Sequence, residues 1–166
     1  EMQTSFSEDW DNWDFTIQLT DSTSQSIDVF TAFSEDWDNW RVEIGDSLIF
    51  VTTSFSEDWD NWTLTSSDGY NIKIKTSFSE DWDNWVITDP SNGITITVRT
   101  TFSNDFDDWE IKYDGTKVAD LETQFSNDWD SWKIKGDPAG FPKAHKAAML
   151  FIGVFAGALY EQGIVQ

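Results

Sequence analysis

Twelve aspartates stand in six pairs, the members of each pair two residues apart: Asp9 and Asp11, Asp36 and Asp38, Asp58 and Asp60, Asp81 and Asp83, Asp105 and Asp107, Asp128 and Asp130. Hard oxygen donors at this spacing are what calcium loops use, and Ser7, Glu8 and Asn12 add further oxygens around the first pair. These twelve residues are the candidate metal ligands, with calcium the ion expected; no other cofactor is expected. The pattern lacks the glycine hinge and the closing bidentate Glu of an EF-hand. A second chemistry therefore competes. A Ser followed by acids also suits a helix start, where the hydroxyl caps free N–H groups and carboxylates favour the positive end. Phe6, Trp10 and Trp13 fall at i, i+4 and i+7, one face of a helical turn. On this reading each motif is a one-turn helical connector whose aromatics plug the end of the fold and whose acids face water.

Both readings rest on one repeated segment. TSFSEDWDNW at Thr4–Trp13 recurs as TAFSEDWDNW at Thr31–Trp40, unchanged at Thr53–Trp62 and Thr76–Trp85, then as TTFSNDFDDW at Thr100–Trp109 and TQFSNDWDSW at Thr123–Trp132. The FS(E/N)D(W/F)D core is near-identical in six copies, while the stretches between copies keep only a pattern. Phe, Ser, both Asp and the last Trp occur in all six; the middle Trp becomes Phe106 once, so that position requires aromatic bulk. Six equivalent carboxylate pairs argue against one catalytic centre, which needs unlike environments to separate two pKa values. No enzyme is expected.

Composition removes other classes. With 31 acidic and 10 basic residues the net charge is −21, so direct nucleic-acid binding through phosphate neutralisation is excluded. There is no cysteine and only one histidine, His145, which excludes disulfides, thiol nucleophiles and His-rich metal sites. His145, between Lys143 and Lys146, is expected to face solvent. Eleven Trp in 166 residues are too many for a disordered acidic tail.

The elements that position the motifs are strands. Trp13, Phe15, Ile17 and Leu19 alternate with polar residues, as do Trp40, Val42 and Ile44, and Ile72, Ile74, Thr76 and Phe78. Turn signals such as Gly45-Asp46-Ser47 and Pro90-Ser91-Asn92-Gly93 separate the runs. The expected fold is all-β: an antiparallel meander of about twelve strands over residues 1–136, six tandem hairpin repeats closed into a barrel. A curled open sheet is the alternative.

Residues 137–143 read as a linker, and 144–162 as one apolar helix. Ala147–Tyr160 is apolar for fourteen residues, short of the ~20 that span a membrane, so burial is expected over a tail anchor. A twelve-stranded barrel of roughly 24 Å backbone diameter leaves a lumen that fits a helix about 10–12 Å wide. The helix is expected to fill it, making a single domain.

A meander brings all six motifs to one end, and the motifs hold 17 of the 31 acids. Such a rim repels itself, and a cation or a basic protein relieves it. The expected function is a non-enzymatic structural or interaction module with a rigid acidic rim. The alternatives are a calcium-binding protein, a membrane-attached protein, or an acidic decoy that mimics nucleic acid. A monomer is expected. No signal peptide is legible, which slightly favours the cytoplasm, although the chain begins with Glu1 rather than Met.

Overall fold

The computed structural model describes residues 2–4, 12–18, 24–33, 36–123, 131–136 and 140–164. It is mostly antiparallel β-sheet with one C-terminal helix. The strands are β1 (Met2–Thr4), β2 (Asn12–Gln18), β3 (Ser24–Thr31), β4 (Asn39–Ile44), β5 (Ser47–Thr53), β6 (Asn61–Ser66), β7 (Asn71–Thr76), β8 (Asn84–Asp89), β9 (Ile94–Thr100), β10 (Asp108–Tyr113), β11 (Thr116–Thr123) and β12 (Ser131–Gly136). The helix, α1, is Lys143–Glu161.

The continuous body of the sheet is a ten-strand meander, β3–β12, each strand antiparallel to the next. β2 pairs with β3 over seven residue pairs. β1 is only three residues long; it pairs with β2 and meets β12 through Met2↔Trp132 and Gln3↔Ser131. The described buried strand residues come from β3 to β11, and the return of the sheet to its start depends on this short β1.

Alternation explains the core. Trp40, Val42 and Ile44 of β4, Trp62 and Leu64 of β6, Ile72 and Ile74 of β7, and Ile96 and Val98 of β9 all point inward and are buried. A period of two puts every second side chain on one face, and here that face packs on α1. Residues 144–159 are buried all round the helix, the condition a helix without a polar face demands. Phe151 and Phe155 are stacked at 5.4 Å, and Trp62 meets each of them edge-on at 4.8 Å. Trp40 packs on the same two rings at 5.8 and 6.1 Å. Among the described residues, no helix is long and apolar enough to cross a membrane.

The helix ends for a local reason. Gly163 takes φ +70°, Ile164 N–H donates to the Leu159 carbonyl and Gly163 N–H to that of Tyr160. This is a Schellman cap, which places a left-handed residue where glycine is unstrained.

His145 corrects an expectation. It does not face solvent; it is fully buried, with Nε2 3.2 Å from Oδ2 of Asp89, itself fully buried on β8. Tyr70 and Phe141 pack around the imidazole at 5.7 and 6.3 Å. Helix residue 145 is simply on the inner side of a helix that has no outer side.

Candidate functional site: the motif rim

Four motif loops are described wholly or in part: 32–38 between β3 and β4, 54–60 between β5 and β6, 77–83 between β7 and β8, and 101–107 between β9 and β10. All join an odd strand to the next even one, so the meander sets them at one end. The rings of Trp37 and Trp59 meet Phe155 there, and Phe106 meets Tyr160, so α1 runs toward the rim.

The loops are not helical turns. Within 54–60, Asp58 N–H donates to the Phe55 carbonyl and Asn61 N–H to that of Asp58, two successive tight turns. Within the first of them Glu57 takes φ +59°, and Glu80 and Asn104 repeat this at +58° and +59°. A left-handed residue cannot continue a right-handed helix, so the expected helical connector does not form. The i, i+4, i+7 face fails with it. The motif phenylalanines do not plug the end of the fold: Phe33, Phe55, Phe78 and Phe102 are 70, 76, 76 and 68% exposed. Phe78 leaves the face of Ile72, Ile74 and Thr76 because β7 ends at Thr76, and strand parity ends there too.

In three of the described copies the first Asp serves its own loop. The side-chain Nδ2 of Asn39, Asn61 and Asn84 donates to both carboxylate oxygens of Asp36, Asp58 and Asp81, at 3.0–3.2 Å. The second Asp reaches forward into the next repeat. Asp60 accepts from Thr76 Oγ1 at 2.7 Å, Ser79 Oγ at 3.0 Å and Glu80 N–H at 2.8 Å. Asp83 does the same with Thr100, Ser103 and Asn104. Asp38 accepts from Ser56 Oγ, Glu57 N–H and the Trp59 indole. Asp107 accepts from Thr123 Oγ1 at 3.3 Å. The second Asp is therefore a latch between successive loops, made of charge-assisted bonds.

The last Trp has an equally definite task. Its indole N–H donates to the carbonyl three residues back: Trp40 to Trp37, Trp62 to Trp59, Trp85 to Trp82 and Trp109 to Phe106, at 2.5–3.0 Å. The bond satisfies a donor that burial would otherwise orphan. The middle position tolerates loss of the indole N–H, although Trp59 uses its own on Asp38; Phe106 fills it at 2% exposure.

The fifth copy differs electrostatically. Asp108 stands where three other described copies have Asn, so Asp105 has no amide to accept. Its carboxyl instead shares a hydrogen bond with Asp107, and with burial and the nearby charges of Asp107 and Asp108 its pKa rises to about 6. At the opposite end, burial pushes His145 below its usual value while Asp89 pulls the other way. Burial would raise Asp89, but hydrogen bonds from the Asn92 side chain and from the Asn92 and Ser91 N–H groups, with the charge of His145, leave it below the usual carboxylate range.

Of the twelve candidate ligands, Asp9, Asp11, Asp128 and Asp130 lie outside the described residues. The other eight are brought to one rim, each pair split between its own loop and the next. No group of three or more His, Cys, Asp or Glu side chains able to hold a metal ion occurs among the described residues. Sequence reasoning missed the exposure of the phenylalanines and the Asp89–His145 pair. The pair left a signal: Asp89 follows Trp85 and Ile87 at inward parity in β8, and a buried carboxylate requires a partner.

Comparison with protein-family models, curated proteins and solved structures finds no match for this chain.

Proposed function

We propose that the chain is a non-enzymatic interaction module, a single domain whose twelve strands close into a barrel around α1 and hold six loops as one rigid acidic rim. The observation that carries this reading is the latch. Asp38, Asp60 and Asp83 spend their carboxylates fixing each loop to the next. Rigid surfaces bind with less ordering cost than mobile ones. The partner that fits is a basic protein, because the net charge of −21 rejects anions and steers cations. Among the described residues the strongly raised carboxylate is Asp105, which owes its shift first to the hydrogen bond it shares with Asp107, then to burial and to the charges of Asp107 and Asp108. That is a local accident of the repeat and supplies no acid–base pair shared by the six loops.

A calcium ion at these loops would have to displace donors that already fill Asp38, Asp60 and Asp83. The basic-partner reading needs no such exchange.

Two experiments test the proposal. Fluorescent polylysine should bind the chain tightly at low salt and weaken as sodium chloride rises. No binding at low salt would sink the reading. For closure, Gln3→Cys with Ser131→Cys should form a disulfide without loss of stability, since these residues are partners across β1 and β12 and the chain has no other cysteine. Two thiols that stay free in oxidant would favour the open sheet.

A further inference from the structure

The folding role of almost every invariant motif residue is accounted for. The leading Thr and the Ser donate to the preceding repeat's latch, the first Asp holds its own loop, and the last Trp fills the core and satisfies its indole. Phe is the exception. It is identical in all six copies, yet 68–76% exposed in the four described ones. Folding gains little from a ring left in water, and exposed apolar groups repeated on one surface mark contact sites.

Beside Phe55 and Phe78 stand Glu57 and Glu80, both exposed. Each sits at a left-handed φ where Asn or Gly is less strained, and Asn104 occupies that place in the fifth copy. An exposed carboxylate and an exposed ring thus stand two residues apart in the same loop. Successive loops lie two strands apart, about 10 Å from ~4.8 Å per strand.

We propose that the rim phenylalanines are docking positions for a cationic polypeptide segment that carries apolar side chains between its lysines or arginines. This inference rests on the interaction-module reading and specifies its partner. Charge complementarity selects the occupant: the acidic rim repels nucleic acid, anionic lipid and the rim of a second copy. Phe supplies apolar contact to the partner's side chains and a π face to its cations. An extended segment with a cation every third residue advances about 10 Å per repeat, the spacing of the loops.

The test uses the full chain and two labelled peptides, one repeating Lys-Leu-Gly and one repeating Lys-Ser-Gly. The Leu peptide should bind at least about tenfold more tightly. A Phe55→Ser, Phe78→Ser, Phe102→Ser variant should keep its melting temperature and its affinity for the Ser peptide, and lose most of the preference for Leu, Phe33 being left in place. Were Phe78→Ser or its companions to unfold the chain, Phe→Leu at the same positions keeps apolar bulk and should retain most of the Leu preference. Equal affinities for the two peptides in the parent chain overturn the inference while leaving the acidic-rim reading intact. Failure of both peptides to bind overturns the rim reading itself. Two further results would also overturn the proposal: binding to zwitterionic phosphatidylcholine vesicles, or self-association in sedimentation, that vanishes in the triple Ser variant while peptide binding persists.

Discussion

Ser79 Oγ donates to Oδ2 of Asp60 at 3.0 Å, nineteen residues back and one repeat away. The same carboxylate holds Thr76 Oγ1 and Glu80 N–H. One side chain therefore sets the position of the next loop through three bonds.

Asp60→Ala should cost about 1–3 kcal/mol in urea unfolding, since it strips three donors of a charged acceptor. Asp58→Ala, which frees only an exposed amide of Asn61, should cost less. If carboxylates serve as latches, melting temperatures of the parent in millimolar calcium and in sodium chloride of matched ionic strength should coincide. A large rise specific to calcium, lost in Asp60→Ala, would restore the ion site.

Trp62→Phe should destabilise more than Trp59→Phe. Trp62 is 1% exposed, fills the space against Phe151 and Phe155, and satisfies its indole on the Trp59 carbonyl. The position of Trp59 already accepts Phe in the fifth copy. Trp62→Ala should approach the about 3–5 kcal/mol of large-to-small core changes. Chemical denaturation of the three variants gives the order directly.

Asp108→Asn should stabilise the protein in a pH-dependent way. Because Asp105 has a folded-state pKa raised to about 6, its contribution is fully present below the ordinary 3.8 and is lost as pH rises through about 6. An amide at position 108 gives Asp105 the donor that its counterparts have. The variant should exceed the parent by about 1 kcal/mol or less above pH 6, a partly exposed loop being screened by solvent. The difference should disappear near pH 4. A gain independent of pH would disprove the electrostatic origin.

His145→Gln should flatten part of the acid limb of stability. His145 is depressed by burial, so its contribution is complete above 6.5 and falls away as pH drops through the lower folded value. Relative to the variant, the parent should lose up to about 1.4 kcal/mol per pH unit between 6.5 and the lower folded value, and no more below it. Parallel stability curves for the two proteins from pH 7 to pH 4 would show that the imidazole does not titrate with unfolding.

The strands and the helix were legible because their periods are long and clean. Ile72 and Ile74 alternate with Lys73 and Lys75, and fourteen apolar residues cannot be a half-exposed element. The loops were not, for two reasons. The period that places Phe78 beside Ile74 holds only while the strand lasts, and nothing in TSFSEDWDNW announces that it ends at Thr76. The helical spacing of Phe and the two Trp was real as a spacing, but a left-handed Glu57 or Glu80 breaks the turn it would have required. The aspartate pairs were recognised as special residues. Their task was missed, because a bond from Asp60 to Ser79 depends on how neighbouring repeats stack.

The position of α1 after the last strand carries a consequence in time. A ribosome makes the whole curved sheet before it makes Phe151 and Phe155, so Trp40, Trp62 and Trp85 have no ring to close on while the strands emerge. Local hairpins form early, but the nascent chain carries an uncovered tryptophan wall until α1 has emerged. During that interval the acidic loops also serve the growing chain, since mutual repulsion between copies keeps unfinished sheets apart.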